Sequence, residues 1–347
     1  DLRALWNREA EISSAVVKKH RDEAGKYRDY FEWSERLSRC PSHRFLALRR
    51  GEKEGFLRIS VAPGEERALE TLRRSFSRVL AEGRVSDPER IVRLLQHPPE
   101  GSAASHVIAA LEDAYARLIA PSLENELLAS AKERADDESI EVFSSNLRQL
   151  LLAPPLGRKR VLALDPGYRT GCKLVCLDEQ GDLLENTTVY PHEPHNRREE
   201  ALETLRDTVR RRNIEAAAVG NGTAGRETET LTREAVAGMD IPVFSVSEDG
   251  ASVYSASELA REELPDYDVT VRGAVSIGRR LMDPLSELVK IDPRSLGIGQ
   301  YQHDVDGKKL EKALDEVVES CVNLVGVDLN TAGAPLLRYV AGLGPKL

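Results

Sequence analysis

Apolar positions divide the chain into segments with different periodicities, and the first segment is mainly helical. Within residues 102–128 and 138–152 they recur every three or four residues, which predicts amphipathic helices. Two short β-compatible runs, in contrast, flank the turn-forming Gly51-Glu52-Lys53-Glu54. We therefore predict a helical region over residues 1–155 with a small hairpin inserted at about 43–61.

The periodicity changes after Pro154-Pro155-Leu156-Gly157, where two prolines and a glycine cannot continue a helix. Three strand-like runs come next, and helices then alternate with two more strands. The predicted strands cover residues 160–165, 172–177, 183–190, 215–220 and 241–246, and the predicted helices cover 197–212 and a segment from about 225. Three antiparallel strands followed by alternating helices and strands are typical of a ribonuclease H-like mixed sheet, here predicted over residues 158–290.

The last segment, residues 291–347, returns to helical periodicity. One helix is predicted over 308–325 and ends at Gly326, and a second runs from about 331 into Gly342-Leu343-Gly344. This order predicts a helix-hairpin-helix region that is truncated at Leu347. The predicted fold class is a multi-domain protein, mainly α plus α/β.

The composition, with 41% hydrophobic and 31% charged residues, is typical of a soluble globular protein. No apolar run approaches the ~20 residues that a membrane span requires, and no secretion signal begins the chain, so we expect a cytoplasmic location without membrane contact. The net charge of −9 argues against coating of nucleic acid by bulk electrostatics. Residues 1–60 nevertheless carry 14 Lys and Arg against 10 Asp and Glu, so any nucleic-acid contact is expected to be local.

Four scattered cysteines predict reduced thiols rather than a disulfide framework. Cys172 and Cys176 share one face of a predicted strand, which permits a metal pair or core packing. Core packing is favoured, because no second Cys or His pair stands nearby at zinc-site spacing. No metal site is predicted.

Acidic residues follow the predicted strands at the edge where open α/β sheets bind ligands. Asp165 ends the first strand, Glu248 follows the fifth, and Asp283 lies in the last helical part of this domain. Acids at such places in ribonuclease H-like nucleases hold Mg²⁺, which activates water. Each of these acids also has a structural alternative. Asp165-Pro166-Gly167 suits a turn, and Glu248 suits a solvated loop. Asp283, which precedes Pro284, suits a helix N-cap, and for Asp283 we favour the cap.

The fourth predicted strand ends in Gly220-Asn221-Gly222-Thr223, where a resolvase-like nuclease would carry another acid. Asn binds Mg²⁺ far less well, and Asn-Gly is a strong turn dipeptide. Glu227, one turn into the next helix, fits the positive helix end without any metal. The acid set is therefore predicted to be degenerate, with no catalytic residue and no cofactor. The alternative is a nuclease, and only in that case is Mg²⁺ expected as a cofactor. An actin-like phosphate loop at residues 165–171 is a weaker alternative, because no second glycine-rich phosphate loop accompanies it.

Glycines near the end of the chain suggest a different chemistry. They let a backbone approach a phosphate, to which N–H groups at a helix start donate. Glycines that simply end helices are the structural alternative. The candidate nucleic-acid-binding residues are Gly326, Asp328, Asn330, Gly342 and Gly344.

Eight motifs occur in a fixed order along nearly the whole chain. They are KYRDYF (26–31), PSHR (41–44), RGEKEG (50–55), LDPGYRTG (164–171), GNGTA (220–224), YSAS (254–257), GQYQHD (299–304) and GVDLNTA (326–332). Together they resemble the Tex family of bacterial transcription accessory proteins.

The resemblance implies a modular protein with a helical N-terminal region, a YqgF (resolvase-like) domain, helix-hairpin-helix repeats and a C-terminal OB-fold RNA-binding domain, of which this chain covers the middle. It implies a scaffold linked to transcription and RNA handling rather than an enzyme with a defined reaction. The expected partners are RNA or DNA, bound weakly by this fragment, and the transcription machinery. Resolvase roles carried onto this chain give Asp165, Glu248 and Asp283 as legacy acids, with Asn221 as the departure.

Overall fold

A computed structural model describes residues 1–82, 87–327, 332–340 and 342. The chain divides into two compact units. Unit 1 comprises residues 1–141 with 303–306, and unit 2 comprises residues 142–302 with the described residues from 307 onward. The predicted domain limits at residues 155 and 290 stay predictions.

Unit 1 combines helices with a small antiparallel sheet. Its strands are β1 (Glu11–Val16), β2 (Glu32–Arg36) and β3 (Leu57–Ala62), in the order β2-β1-β3. The helices are α1 (Leu2–Glu9), α2 (Ser42–Lys53), α3 (Glu65–Glu82), α4 (Pro88–Gln96), α5 (Ala103–Ala114) and α6 (Ala120–Leu151), whose last ten residues belong to unit 2. A π-helical turn, Tyr115–Ile119, joins α5 to α6, so the helices predicted over 102–128 and 138–152 are confirmed.

The hairpin predicted at about 43–61 is wrong in its first half. Residues 43–50 lie in α2, and only the second run is a strand. That strand, β3, pairs with β1, which places Val61 opposite Ile12. Phe45, Leu46 and Leu48 are buried on α2, because this short apolar run covers a helix face as readily as a strand face.

Unit 2 is built on a five-stranded mixed sheet. Its strands are β4 (Val161–Asp165), β5 (Cys172–Leu177), β6 (Leu183–Val189), β7 (Ala216–Gly220) and β8 (Val243–Val246), in the order β6-β5-β4-β7-β8. Neighbours among β4, β5 and β6 pair antiparallel, whereas β7 runs parallel to both β4 and β8. This is the ribonuclease H-like order, and it confirms both the predicted fold class and the five predicted strands.

Helices cover both faces of this sheet. The helices of unit 2 are α7 (Arg198–Arg212), α8 (Gly225–Ala235), α9 (Ala251–Ala256), α10 (Glu258–Glu263), α11 (Val269–Met282) and α12 (Pro284–Leu288), followed by α13 (Gly307–Val325) and α14 (Ala334–Leu337). Leu162 and Leu164 pack into a core with α7 and α8, while Val161 and Ala163 pack into a second core with α11. Because both faces are covered, the central strands read as continuous apolar runs.

The four cysteines are buried free thiols. Cys172 and Cys176 belong to the core on the α7 and α8 side, which confirms the prediction of core packing. Within the described residues, no helix combines the length and apolar character that crossing a membrane requires.

Helix α11 lies against the centre of the sheet and is anchored at its C-terminal end. At Gly278 an ideal Cβ would stand 2.9 Å from the Cβ of Ala163, so the helix and strand approach closely only because this position is glycine. The segment before β4 then binds the end of α11: the amide of Leu156 donates to the carbonyl of Leu281 (2.9 Å), and that of Gly157 to the carbonyl of Met282 (3.1 Å).

Candidate functional site

Asp165 stands at the carboxyl end of the central strand β4 with its side chain on the α11 side of the sheet. An ideal Cβ at Gly273 of α11 would lie 3.4 Å from its Oδ2 atom. Burial, and then the neighbouring Glu248 carboxylate, raise the pKa of Asp165 to about 6, while Lys173 opposes the shift. Lys173 is the register partner of Asp165 on β5. The site therefore holds a desolvated carboxyl group whose charge is costly near neutral pH.

Glu248 brings a second carboxylate to the same edge of the sheet. It follows β8, and its side chain lies over Gly220, the last residue of β7, and Gly222 of the loop that follows. An ideal Cβ at Gly222 would fall 1.6 Å from Oε1, and one at Gly220 would fall 2.8 Å from Oε2. Any larger residue at position 222 would displace this carboxylate. The sequence thus predicted correctly that Asp165 and Glu248 lie at the same edge of the sheet, and the structure brings the two acids together.

Asn221 connects two loops at this edge. Its amide donates to the carbonyl of Val246 (3.0 Å), and its Oδ1 accepts from the amide of Glu248 (3.3 Å). Its side-chain oxygen therefore holds the loop that carries Glu248.

Asp283 does not join the two acids. Its Oδ1 accepts from the amide of Ser286 (3.0 Å) and its Oδ2 from the Ser286 hydroxyl (2.6 Å), so it caps α12. It lies ten residues beyond Gly273 along α11, which corresponds to about 15 Å at 1.5 Å per residue. The adjoining Met282 contacts the segment before β4, at the opposite end of the strand from Asp165. The predicted N-cap is confirmed.

The residues present do not fit a two-ion magnesium centre. Such a centre needs several converging carboxylates, and here the α11 position that faces Asp165 is Gly273. Across residues 1–82, 87–327, 332–340 and 342, no group of three or more His, Cys, Asp or Glu side chains is placed to hold a metal. Asp165 and Glu248 are a pair rather than a set.

The opposite face of the sheet carries polar contacts near the start of α8. The Tyr168 hydroxyl donates to Oε1 of Glu227 (3.2 Å), so Glu227 has a side-chain partner as well as its place at the helix start. The Thr228 hydroxyl lies 2.9 Å from Nε2 of His192 and 3.5 Å from the sulfur of Cys172. Burial lowers the pKa of His192. These contacts fix the loops around the helix start.

The glycines predicted to contact phosphate are only partly within the described residues. Gly326 ends α13 with φ of +80°, and its amide donates to the carbonyl of Val322 (2.9 Å). Gly342 also has positive φ, at +89°. Asp328, Asn330 and Gly344 lie outside the described residues. Backbone contact with a phosphate at this hairpin stays a prediction.

A basic cluster at the other end of the sheet was missed by the sequence analysis. Its residues come from the segment before β4 and from the end of α7, and Nε of Arg160 connects the two segments by donating to the carbonyl of Asn213 (3.1 Å). Glu185 pairs with two of its arginines, and Glu215 binds the amide of Arg160. The basic cluster comprises Arg158, Lys159, Arg160, Arg210, Arg211 and Arg212. Two charged triplets about fifty residues apart were the available signal, but only the pairing of β4 with β7 joins them.

Family models match most of the chain. A Tex central region-like model matches residues 1–143, and a Tex protein YqgF-like domain model matches residues 159–282. A solved structure of RuvC from Thermus thermophilus aligns with a TM-score of 0.28 and 19% identity, covering 34% of this chain and 90% of that chain.

Similar proteins extend well beyond this chain. It is 46% identical over 347 residues to the transcriptional accessory protein Tex of Neisseria gonorrhoeae, covering 99% of this chain and 43% of that protein. It is 44% identical over 346 residues to the protein tex of Bordetella pertussis, with coverage of 99% and 43%. The human S1 RNA-binding domain-containing protein 1 is 36% identical over 339 residues, with coverage of 96% and 32%. The chain spans less than half the length of these relatives.

Proposed function

The chain belongs to the Tex family, and from this premise we propose that it is the nucleic-acid-associated middle part of a transcription accessory scaffold, whose ribonuclease H-like domain holds nucleic acid without cutting it. RNA or DNA is the proposed ligand, bound weakly by this part alone. The transcription machinery is the proposed protein partner.

One observation carries the non-catalytic part of the proposal: the helix position that faces Asp165 is Gly273. A nuclease that uses two metal ions stabilises both the attacking and the leaving oxygen, and this requires carboxylates from several elements. Here Asp283 is used as a helix cap and Asn221 as a loop connector. The remaining pair of acids provides too few ligands for that chemistry.

The basic cluster supports a role in binding nucleic acid. Lys159, Arg158, Arg210 and Arg211 are exposed on a chain whose net charge is −9. Contacts of Lys and Arg with phosphates supply most of the non-specific affinity for nucleic acids, and a local cluster can make them where the whole chain cannot. The glycines at positions 326 and 342 are proposed as a second, backbone-mediated contact.

A magnesium-dependent nuclease is the second candidate, and the proximity of Asp165 and Glu248 favours it. Mg²⁺ is commonly bound through one or two carboxylates together with substrate phosphates. A single ion could therefore use this pair once nucleic acid is bound. The cleaved substrate would be branched or structured nucleic acid.

A cleavage assay on the whole chain separates the two candidates. End-labelled branched DNA and structured RNA are incubated with the chain, its Asp165→Asn variant and an Asp266→Asn control, in Mg²⁺ and in Mn²⁺. Asp266 is an exposed acid that is not part of the pair. We expect retarded migration of the nucleic acid without cleavage in all three proteins. Cleavage that Asp165→Asn abolishes and Asp266→Asn retains would refute the non-catalytic role.

A further inference from the structure

Four aromatic rings lie together at the edge of the sheet where β4 and β6 end. Tyr168 and His192 form one edge-to-face pair with ring centroids 5.7 Å apart, and Tyr190 and His195 form a second pair at 4.8 Å. Nε2 of His195 lies 3.2 Å from the carbonyl oxygen of Arg169, which joins the second pair to the residue after Tyr168. These four ring-bearing residues are called the aromatic cluster below.

The backbone of the two loops holds these rings in place. The amide of Arg197 donates to the carbonyl of Tyr190 (2.9 Å), and the amide of His195 donates to the carbonyl of His192 (3.1 Å), so the segment after β6 closes on itself. Gly171 has φ of +74°, and an ideal Cβ there would stand 2.7 Å from Cε1 of Tyr190. The Tyr190 ring therefore lies against the loop after β4 only because position 171 is glycine.

The aromatic cluster stays accessible to solvent although its rings are held in place. Tyr168 is 39% exposed, and His195 is exposed as well. The Tyr168 hydroxyl donates to Oε1 of Glu227 (3.2 Å), and this hydrogen bond restricts the orientation of a ring that remains open on the surface. Rings that served only to pack the loops together would be buried. Ordered rings with accessible surface are suited to stacking with a flat ligand, because little conformational freedom is lost on binding.

Three exposed arginines flank the aromatic cluster along the chain. Arg169 follows Tyr168, and Arg226 precedes the glutamate that binds the Tyr168 hydroxyl; neither arginine pairs with an acid in the part of the chain that the structure describes. Arg197 pairs with Glu200 at a distance of 3.9 Å, at which an exposed ion pair contributes little. The three guanidinium groups are therefore available to phosphates.

Two exposed acids, Glu193 and Glu227, lie beside the same rings and offset part of this positive charge. Contacts with phosphates alone would therefore give this surface little affinity for a duplex, whose bases are already stacked on one another. A single strand differs, because its bases are free to stack on aromatic side chains while arginines contact its backbone. The combination of open rings with a modest positive charge favours a single-stranded ligand.

We propose that the aromatic cluster is a base-stacking site for single-stranded nucleic acid. One base stacks on Tyr168 and a neighbouring base on His195, while Arg169 contacts the phosphate between them. Base and phosphate are common to RNA and DNA, so the site accepts either sugar. This inference rests on the proposed function, to which it adds a location on the ribonuclease H-like domain and the strandedness of the ligand.

Photocrosslinking of a stacked base tests the location. Oligouridine carrying 5-iodouridine and oligothymidine carrying 5-iododeoxyuridine, each about 12 nucleotides long, are irradiated with the whole chain, and the crosslinked residues are identified by mass spectrometry. We expect crosslinks at Tyr168 or His195 with both probes. Crosslinks at the aromatic cluster with one probe alone would support the site and overturn its indifference to the sugar. Crosslinks found exclusively at other residues would overturn the site.

Substitutions measured by fluorescence anisotropy test the stacking. Tyr168→Leu removes the ring and should weaken binding of the labelled single strands at least about fivefold, which corresponds to the ~1 kcal/mol lower limit for one stacked base. Tyr168→Phe keeps the ring without the hydroxyl and should restore the affinity. Phe244→Leu is the matched control, since Phe244 of β8 is 37% exposed and lies outside the aromatic cluster; its affinity should equal that of the parent. If Tyr168→Leu does not fold, His195→Ala removes an exposed ring of the second pair and should have the same effect.

A duplex of the same length separates this inference from the proposed function. Tyr168→Leu should leave duplex affinity unchanged, and an equal loss for duplex and single strand would overturn base stacking. Single-strand binding that is weakened by Lys159→Ala but unchanged in the folded ring variants would overturn the site and leave the proposed function standing. Absence of binding of either form by the parent chain would overturn both.

Discussion

Replacing Asp165 by asparagine should stabilise unit 2 above neutral pH. Its folded pKa of about 6 exceeds the ~3.9 of an unfolded aspartate. Between these values the native state binds more protons than the unfolded state, so the free energy of unfolding falls as pH rises through that window. Two pKa units correspond to a destabilisation of the parent protein by about 3 kcal/mol. This destabilisation is fully present above pH ~7 and absent below pH ~4. The neutral amide removes the charge that burial and Glu248 disfavour.

Hydrogen exchange is the appropriate assay, because both tryptophans, Trp6 and Trp33, lie in unit 1 and do not report on this sheet. We expect β4 amides to exchange about 30- to 100-fold more slowly in Asp165→Asn than in the parent at pH 8, since each 1.4 kcal/mol is a factor of ten. At pH 4 the two proteins should exchange alike. The exposed Asp266→Asn control should match the parent at every pH. Equal protection of Asp165→Asn and parent across pH 5–8 would refute a desolvated, charge-coupled Asp165.

Five further substitutions test other contacts. Gly273→Ala should stabilise the fold by about 0.5–1 kcal/mol, because the added methyl group meets only van der Waals contact. Gly278→Ala, on the same helix, should destabilise the fold by about 1–3 kcal/mol, because its methyl group overlaps with the sheet. Thermal denaturation should therefore show changes of opposite sign for the two variants. Asp283→Ala should lower stability by about 0.5–2 kcal/mol through the lost cap, and equal unfolding midpoints would contradict the cap. Lys159→Ala and Arg210→Ala should each reduce the slope of log affinity against log salt for a DNA duplex by about one, and unchanged slopes would show that the basic cluster does not contact phosphate.

The sheet of unit 2 was predictable because its signal is local. The run at 161–164 is apolar on both faces, and each later strand is separated from the next by a turn or a helix. The sheet of unit 1 was not predictable in this way. β1 and β2 are short and rich in polar residues, and β3 pairs with a strand more than forty residues away.

The candidate site was predicted in part for a related physical reason. The carboxyl ends of parallel strands share one edge, so the positions of Asp165 and Glu248 followed from the order of the strands. Gly273 was missed, because the sequence of α11 does not reveal which of its residues faces the end of β4.

The attachment of the segment before β4 to the end of α11 determines where the ribonuclease H-like domain can be excised. A fragment that begins at residue 159 omits Leu156 and Gly157 and leaves the carbonyls of Leu281 and Met282 without these donors. Each lost backbone hydrogen bond removes about 0.5–1.5 kcal/mol, and the final turn of the helix would fray. A fragment that begins at residue 154 keeps both hydrogen bonds. Trypsin should therefore cleave this fragment after Arg279 more slowly than it cleaves the fragment that begins at residue 159.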